Sequence, residues 1–502
     1  MSISINFLTG SDAVAPAQSP VIVVLRLDGG FGKHATALNE NTGGMLDRAC
    51  ASPRCKGESG EIIDLLAPVG VSARRIIILD LGPKSKITAL SAMKAGAELA
   101  KRLEVEAETA ATLLADPVSD AALPSSEVIA RLLLGMRLRN YRFALMPKQD
   151  TSHDIALTLV ANDGDRAAID RLSAVAEGVS LARTLVNYPA SHLHPDNFGD
   201  HLAPLREAGI SVEEYCSPDL ERLGMGAILA VGNGSDRKPR LFTLEYKGEG
   251  ASGKPLALVG KGMCFDAGGL CIKTGPQMFT MKGDMGGAAA VIGTMLALAR
   301  QKTPIHVVGV LAVAENMLSG SSYKPGDIVT TMSGRTVEVY DTDCEGRMVL
   351  SDALHYTATR FDPCAIVDLA TLTYSVMRGL GHAFAGLFAT HDELATALLA
   401  AGEKTGERFW RLPLDPAYDD GLRSQVADLR QHSHDLEDGD ALFAAAFLKN
   451  FAEGRPWVHL DIAGKELIGE DRLLARSGGA GFGVQILEEW ITSNSASLQK
   501  LS

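Results

Sequence analysis

Residues 255–269 read PLALVGKGMCFDAGG, a short apolar segment that runs into glycines and charged residues. Such a segment, bounded by turn residues, predicts a buried strand over Pro255–Val259. Helical patterns such as Gly286–Arg300 separate it from later apolar runs. Those runs are His306–Val313, Ala365–Leu372 and Trp457–Ile462. Buried strands that alternate with helices predict an α/β domain whose central, mostly parallel sheet is covered by helices on both faces.

The first part of the chain shows the same alternation, so a second α/β domain is expected there. The strands predicted in it are Val21–Arg26, Arg75–Leu81, Tyr141–Met146 and Ile155–Val160, and the helices Lys86–Leu103 and Asp120–Arg139. A turn-forming NDGD at Asn162–Asp165 then precedes a long helical pattern. We therefore predict a smaller N-terminal α/β domain over residues 1–165. A larger C-terminal α/β domain over residues 166–502 would begin with a linker helix at about 166–187.

The composition is that of an ordinary globular protein. Of 502 residues, 46% are hydrophobic and 22% charged, and the 48 basic and 61 acidic residues give a net charge of −13. That negative charge argues against binding of nucleic acid or an anionic membrane through a broad electrostatic surface. Seven cysteines without regular spacing predict reduced thiols. Because Met1–Ala13 has no signal-peptide pattern and no apolar stretch reaches about 18 residues, a soluble cytoplasmic protein is expected.

Charged side chains crowd two segments that follow predicted strands, where sites form in parallel sheets. They are Lys261, Asp266, Lys273 and Asp284 in the first segment and Asp343, Glu345 and Arg347 in the second. Charge at such a position is costly unless it is paired or bound to metal. Four carboxylates match the charge of two divalent cations. An oxygen-rich, histidine-poor set favours Mn²⁺, Mg²⁺ or Zn²⁺.

Each of these residues also has an ordinary structural interpretation. Asp266 before two glycines is typical of a turn, and Asp284 before a helix is typical of an N-cap. Asp343 and Glu345 alternate at strand spacing and could be solvated. The chain contains no GxGxxG, no GxSxG and no HExxH motif, which weakens dinucleotide-binding, serine-hydrolase and zincin interpretations.

Taken together, the motifs resemble the leucyl aminopeptidase family of dinuclear metallopeptidases. Val259–Ala289 is similar to the family's VGKGxxFDxGGxxxKxxxxMxxMKxDMxGAA. Asp341–Leu350, DTDCEGRMVL, is similar to its NTDAEGRLVL. The resemblance extends from about Leu172 onward, and the first domain is matched only in its α/β pattern. Further similar segments are Asn316–Gly320, Tyr323–Asp327, Asp368–Thr373 and Trp457–Gly464.

The resemblance implies two divalent metal ions per subunit, Mn²⁺ or Zn²⁺, with Mg²⁺ or Co²⁺ as alternatives. Asp266 and Glu345 would bridge both ions. Lys261 and Asp284 would complete the shell of one ion, and Asp343 that of the other. A lysine ligand must be neutral, so the metal would have to lower the pKa of Lys261 strongly.

The implied activity is a metal-dependent aminopeptidase that prefers leucine-like or other neutral first residues. The free amino terminus would bind one metal, and a hydroxide bridging both would attack the scissile carbonyl. The ammonium of Lys273 would help to polarise that carbonyl. In this family Arg347 would hold a bicarbonate ion as general base, which suits a bidentate guanidinium. The alternative is that Arg347 merely neutralises nearby carboxylates. A homohexamer is also implied.

Several residues depart from the family pattern. At three motif positions the residue differs from the one usual in the family: Asp341 replaces Asn, Cys344 replaces Ala, and Ala267 replaces Ser or Thr. Tyr374 stands for Gly in a segment that lines the family's substrate cleft, so side-chain preference does not follow from the resemblance.

Other interpretations remain open at this point. His432 and His434 are expected to be solvated loop histidines, because no partner spacing supports a metal site. Some family members bind DNA, so a DNA-binding protein with a secondary or lost peptidase activity is the alternative function, although the net charge speaks against it. A metal hydrolase for other amides or esters, such as dipeptides only, is a third.

Overall fold

The computed structural model describes residues 3–8, 19–116, 123–146, 154–433 and 439–498. The chain forms two compact units. The first comprises Met1–Ala176 and Glu470–Arg476, and the second Glu177–Gly469 and Ser477–Ser502. Each unit has its own sheet, and the larger second unit contains the longest strands. The predicted fold class, a smaller N-terminal and a larger C-terminal α/β domain, is confirmed. No helix within the described ranges has the length and apolar character needed to cross a membrane.

The sheet of the first unit has seven strands. They are β1 Ile3–Leu8, β2 Val21–Leu27, β3 Gly30–Phe31, β4 Ile62–Leu66, β5 Arg75–Asp80, β6 Ala110–Leu114 and β7 Ile155–Val160. Their order is β1-β7-β6-β2-β5-β4, with β3 paired to β2. All neighbours are parallel except β3 with β2 and β4 with β5. The accompanying helices are α1 Lys33–Asn41, α2 Met45–Cys50, α3 Ala89–Val105 and α4 Ser125–Asn140. The helix α5, Arg166–Asn187, follows β7 along the chain.

The predicted strand at Tyr141–Met146 is wrong, because this segment is irregular and follows α4 directly. Leu145 and Met146 are 40% and 59% exposed, so the apolar run is not buried in a sheet. The neighbours of β7 are β1 and β6, which leaves no place for another strand beside it. The sequence pattern missed β1, whose six residues occupy that place.

Two glycines bring α3 and α4 into backbone contact. A Cβ atom added to Gly96 would lie 1.9 Å from the carbonyl oxygen of Leu132 on the other helix. One added to Gly135 would lie 1.8 Å from the carbonyl oxygen of Met93. The two helices can pack this closely only because neither residue has a side chain.

The sheet of the second unit has eight strands in the order β16-β15-β18-β14-β10-β11-β9-β8. They are β8 Ser211–Tyr215, β9 Arg240–Lys247, β10 Leu256–Asp266, β11 His306–Asn316, β14 Ala365–Ala370, β15 Ala385–Ala389, β16 Phe409–Arg411 and β18 Trp457–Asp461. The four central strands, β18, β14, β10 and β11, are parallel, and antiparallel pairs lie toward the edges. The remaining short strands are β12 Ile328–Thr330, β13 Thr336–Glu338, β17 Leu429–Arg430, β19 Leu467–Ile468 and β20 Gly478–Gly479.

Eleven helices of the described residues follow α5 in this unit. They are α6 Ala203–Glu207, α7 Ser217–Leu223, α8 Gly226–Gly232, α9 Gly275–Met278, α10 Gly286–Arg300, α11 Glu345–Phe361, α12 Tyr374–Leu380, α13 Asp392–Thr405, α14 Ala417–Asp420, α15 Asp440–Lys449 and α16 Val484–Leu498. Successive residues of β10 point to opposite faces of the sheet. Val259 packs in one core cluster with Val349 of α11, whereas Gly260 lies against Ala288 of α10. Both faces of β10 are therefore covered by helices.

The strand β10 is longer than the sequence pattern predicts. It continues past Val259 to Asp266, paired with β11 through an irregularity between Met263 and Phe265. We had expected the glycines here to mark the end of the strand. Gly260 instead allows close helix packing, because a Cβ on it would lie 2.6 Å from the Cα of Ala288. The pairing of β10 with β14 stops at Gly260, so the last residues of β10 have only β11 beside them.

The α3–α4 contact makes a testable prediction. Replacing Gly135 with alanine is expected to lower the free energy of unfolding by about 1–3 kcal/mol, because the new methyl group meets backbone that cannot rotate away. Urea titration followed by circular dichroism measures this change. Gly164→Ala is the matched control, since a Cβ at Gly164 meets no atom within 4 Å. Equal unfolding midpoints for the two variants would show that the helices do not pack through Gly135.

Candidate active site

A cavity of about 160 Å³ lies within the second unit. Its lining includes every charged residue of the two predicted segments: Lys261, Asp266, Lys273, Asp284, Asp343, Glu345 and Arg347. These residues come from positions as far apart as 261 and 347 in the sequence. The structure therefore brings the two motifs together at one place.

Strand β10, helix α11 and the segments between elements carry these side chains. Lys261 and Asp266 lie on β10 itself, which corrects the expectation that they follow it. Asp284 stands between a single 3-10 turn and α10. Glu345 begins α11, with Asp343 just before it. The site thus forms where the carboxyl end of a central parallel strand meets the amino ends of two helices, as expected for open α/β sheets.

The ammonium group of Lys261 bridges two carboxylates. Its Nζ lies 2.8 Å from Asp284 Oδ1 and 2.8 Å from Glu345 Oε1. It also donates a hydrogen bond of 2.9 Å to the carbonyl oxygen of Thr371. Burial by itself lowers the pKa of Lys261, but the surrounding carboxylates outweigh it and raise that pKa. Lys261 could bind a metal only after losing this proton, which a cation beside it would favour.

Lys273 connects the other two carboxylates. Its Nζ lies 2.8 Å from Asp266 Oδ2 and 2.5 Å from Asp343 Oδ1. Burial lowers the pKa of Lys273, but the carboxylates, Asp266 first among them, raise it further, so the side chain is an ammonium ion. Asp266 Oδ1 accepts hydrogen bonds of 2.8 Å from Gly268 N–H and from Asn316 Nδ2. Asn316 therefore orients the carboxylate of Asp266.

The carboxylates lie close enough together to need a counter-cation. Asp266, Asp343 and Glu345 each offer an oxygen within 4.8 Å of the others. Burial and the neighbouring acids raise the pKa of Asp343 to about 8 and also raise that of Glu345. Burial raises the pKa of Asp284 well above its ordinary value. Such shifts indicate uncompensated negative charge.

Two buried oxygen atoms provide a test of whether a metal fits. Asp284 Oδ2 and Glu345 Oε2 have no hydrogen-bond partner within the described residues. Buried carboxylate oxygens are normally paired, so these two are available as ligands. The donor set consists of carboxylate oxygens and one amine, which suits hard or borderline divalent cations. The residues present therefore fit the metal ions that the resemblance implies.

Arg347 is held by residues that the sequence motifs do not contain. Its Nη2 donates to Asp440 Oδ1 at 2.6 Å, and its Nη1 to the carbonyl oxygen of Gln431 at 3.1 Å. Burial lowers the pKa of Arg347, but the carboxylate of Asp440 outweighs it and raises that pKa. Burial raises the pKa of Asp440, and Arg347 lowers it by more. The two side chains form an ion pair at the cavity wall.

The expectation that His432 is a solvated loop residue is wrong. His432 is 7% exposed, lines the cavity and has its Nε2 3.4 Å from Asp440 Oδ1. His434 lies outside the described residues. Asp440 was not identified from the sequence, because 93 residues separate it from Arg347 and no motif connects the two.

Tyr374 lines the cavity, as its position in the motif predicts. It is the first residue of α12, is 36% exposed, and its ring centroid lies 5.4 Å from Lys273 Nζ. Asp341 accepts a 2.8 Å hydrogen bond from Asp343 N–H and so supports the loop of the second motif. Cys344 lines the cavity, and burial raises the pKa of its thiol well above the ordinary value.

The sequence analysis also missed Glu466, which lines the cavity two residues beyond the last motif. The side chain is half-buried, and its Oε2 is buried without a hydrogen-bond partner among the described residues. Burial raises the pKa of Glu466 to about 7. A Cβ added to Gly283 would lie 3.1 Å from Glu466 Cγ, so the side chain packs beside Asp284.

Comparison with known proteins gives consistent results along the chain. The family model described as "Cytosol aminopeptidase family, catalytic domain" matches residues 180–488, and the N-terminal domain of the same family matches residues 22–146. A probable cytosol aminopeptidase of Bradyrhizobium sp. (strain BTAi1) is 41% identical over 89% of this chain and 90% of its own length. One of Rhodopseudomonas palustris is 40% identical over 95% of this chain and 96% of its own length.

A solved structure supports the same relationship. The bottromycin maturation enzyme BotP in complex with Mn superposes with a TM-score of 0.82 at 34% identity, covering 95% of this chain and 99% of that one.

The carboxylate cluster predicts a measurable effect on metal binding. Replacing Glu345 with glutamine is expected to weaken Mn²⁺ binding to metal-stripped protein by roughly tenfold or more. Losing even an outer-shell partner of a metal commonly has that effect. Isothermal titration calorimetry measures affinity and stoichiometry. Glu249→Gln, an exposed glutamate of the same unit, is the control. Unchanged Mn²⁺ binding in the Glu345 variant would exclude this cluster as the metal site.

Proposed function

The chain belongs to the cytosol aminopeptidase family, and from that premise we propose that it releases N-terminal residues of peptides through two divalent ions bound in its cavity. Family membership makes it a hydrolase of the metallo-exopeptidase type. The observation that carries the proposal is the convergence of four carboxylates and two lysines on this cavity. Its substrates are peptides with a free amino terminus.

The proposed ligands are those that the motifs imply. Asp266 and Glu345 would bridge the ions, Lys261 and Asp284 would complete one shell, and Asp343 the other. The 4.8 Å cluster and the partnerless oxygens support this assignment. Two bound divalent ions supply Lewis acidity, which polarises a carbonyl group and lowers the pKa of water. Mn²⁺ is the first candidate because the similar BotP structure contains Mn, with Zn²⁺, Mg²⁺ and Co²⁺ as alternatives.

Lys273 would stabilise the negative charge that develops on the scissile carbonyl oxygen. Burial lowers the pKa of Lys273 and the neighbouring carboxylates raise it by more, and an ammonium group is a strong donor to an oxyanion. The ring of Tyr374 lies over this ammonium group and shields one side of it. Charge stabilisation is stronger where water is excluded.

The cavity also accounts for the choice of substrate end. A free amino terminus, neutral when bound, could bind one of the two ions, whereas the interior of a peptide has no such group. Met281, Leu372, Met377 and Ala463 supply apolar surface for the first side chain, which supports acceptance of leucine-like and other neutral residues. A cytoplasmic location agrees with the names of the relatives, and a homohexamer remains the assembly that the resemblance implies.

This proposal predicts metal-dependent hydrolysis of leucine amide. Metal-stripped protein is expected to be inactive and to recover on addition of Mn²⁺ or Zn²⁺. Glu345→Ala is expected to reduce kcat/KM at least a hundredfold, while Glu249→Ala behaves as wild type. Acetylation of the substrate's amino group is expected to abolish cleavage. Metal-independent turnover, or equal cleavage of the acetylated amide, would contradict a metal-dependent aminopeptidase.

A further inference from the structure

The ion pair between Arg347 and Asp440 bears on which anion the guanidinium of Arg347 binds. Arg347 is 1% exposed, and Asp440 Oδ1 lies 2.6 Å from its Nη2. Both residues line the same cavity as Lys273 and Glu345. A guanidinium in a substrate cavity commonly binds a planar anion through two parallel N–H bonds.

The bicarbonate ion that the resemblance implies does not fit this guanidinium. Nη1 donates to Gln431 and Nη2 to Asp440, whereas Nε has no partner among the described residues. Three of the five N–H groups are not used in these bonds, so charge rather than a shortage of donors disfavours a second anion. A second anion beside Asp440 would also meet the charge of its carboxylate. The carboxylate of Asp440 is itself a planar, two-oxygen anion. It therefore already supplies, beside Arg347, the kind of group that an external bicarbonate would bring.

We infer that Asp440 is a catalytic residue that carries the proton in peptide hydrolysis, and that this enzyme does not depend on bicarbonate. The inference rests on the proposed aminopeptidase function. The oxygen of the attacking water forms the new bond to the carbonyl carbon, and a water proton passes to the Asp440 carboxylate. The carbon–nitrogen bond then breaks, and the same proton passes to the departing amine nitrogen. Asp440 is ionised again at the end of the cycle.

The surroundings of Asp440 support this role. The side chain is 22% exposed, and Oδ1 takes the contacts from both Arg347 and His432. Oδ2 has no hydrogen-bond partner among the described residues and remains free to accept a proton. Burial raises the pKa of Asp440 and Arg347 lowers it by more, so the group is ionised before the reaction. Burial and Arg347 lower the pKa of His432, so this neighbour is neutral.

Anion rescue tests the inference with Mn²⁺-loaded protein in carbonate-free buffer. Wild-type kcat for leucine amide is expected to change less than twofold on addition of bicarbonate. Asp440→Ala is expected to lose about a hundredfold or more in kcat, the usual contribution of a general base, and to regain at least tenfold with bicarbonate. Asp440→Asn is the matched control, because its amide still fills the space beside Arg347 and should not be rescued. Calorimetry should detect bicarbonate binding only to Asp440→Ala.

The outcomes separate this inference from the aminopeptidase proposal. Activation of wild type by bicarbonate would overturn the inference. Full activity of Asp440→Ala without bicarbonate would also overturn it. So would a loss of kcat that bicarbonate does not restore, in an Asp440→Ala protein that still binds Mn²⁺. If Asp440→Ala does not fold, the inference can still be tested by the response of wild type to bicarbonate and by the activity of the Asp440→Asn variant. Absence of all turnover in Mn²⁺-loaded wild type would instead count against the aminopeptidase itself.

A different observation, the buried Oε2 atom of Glu466 that has no hydrogen-bond partner among the described residues, bears on substrate choice. Its Oε2 is buried within the cavity wall and has no hydrogen-bond partner within the described residues. A Cβ on Gly286 would lie 2.9 Å from its Cβ, and one on Gly283 would lie 3.1 Å from its Cγ. Glu466 thus packs against both sides of the segment that carries Asp284.

The geometry points to Glu466 as a specificity residue that makes lysine a better first residue than a neutral side chain of equal length. This inference also rests on the proposed function. Met281, Met377 and Ala463 would contact the apolar stem of the lysine, and its ammonium group would pair with Glu466. A neutral residue is accepted but leaves the buried Oε2 atom of Glu466 without a partner, which is unfavourable.

Comparison of lysine amide with norleucine amide tests this directly. Wild type is expected to favour lysine by about tenfold or more in kcat/KM, the usual value of a charged hydrogen bond. Glu466→Gln should lower that ratio at least tenfold, and Glu249→Gln should leave it unchanged. Equal rates for the two amides in wild type, or an unchanged ratio in Glu466→Gln, would overturn the assignment. If neither amide is cleaved with Mn²⁺ present, the aminopeptidase proposal itself fails.

Discussion

The second unit depends on one electrostatic constraint, the packing of four carboxylates into a largely buried cavity. Asp266, Asp284, Asp343 and Glu345 share two lysine partners, and burial raises the pKa values of three of these acids. Like charges so close together in a region of low dielectric are unstable unless cations compensate them. The site is therefore suited to hold cations, and the identity of the bound cation defines its chemistry.

Glycines in the backbone make this concentration of charge geometrically feasible. Gly260 lets α10 approach β10, and a Cβ on Gly287 would lie 2.0 Å from the carbonyl oxygen of Leu369. A Cβ on Gly346 would lie 2.7 Å from Lys261 Cε, so the first turn of α11 can come close to Lys261 only without a side chain there. The glycines of the motifs thus bring the ligand-bearing segments together. Gly268, Gly269 and Gly464 near the cavity also adopt the left-handed conformation that favours glycine.

Around this shared framework, the chain carries side chains of its own. Asp440 places a carboxylate on Arg347, Glu466 places one on the wall beside Asp284, and Tyr374 lies over Lys273. Each changes the charge or shape of the cavity, and none is among the proposed metal ligands. We infer that the reaction class follows from the framework, whereas proton transfer and substrate choice depend on these three residues.

The sequence by itself determined the fold class, the family and the charged motif residues that meet at the cavity, because each motif is a local pattern. Apolar runs and helical spacing need only neighbouring residues to be recognised. The prediction of a strand at Tyr141–Met146 was wrong, since an apolar run becomes a strand only where a sheet edge is available to it. The length of β10 was underestimated, because glycines in a sequence indicate a turn, whereas Gly260 here allows close packing against α10.

Only the tertiary structure decided which distant residues complete the site. Asp440 reaches Arg347 from a segment far along the chain, and His432 lies beside Asp440. Glu466, from beyond the last motif, packs against Gly283 and Gly286, which flank Asp284. A lone acid or histidine without a recognisable spacing is most often solvated, so the sequence offers no signal for it. Burial and proximity gave these side chains their importance, and both arise only when the chain folds.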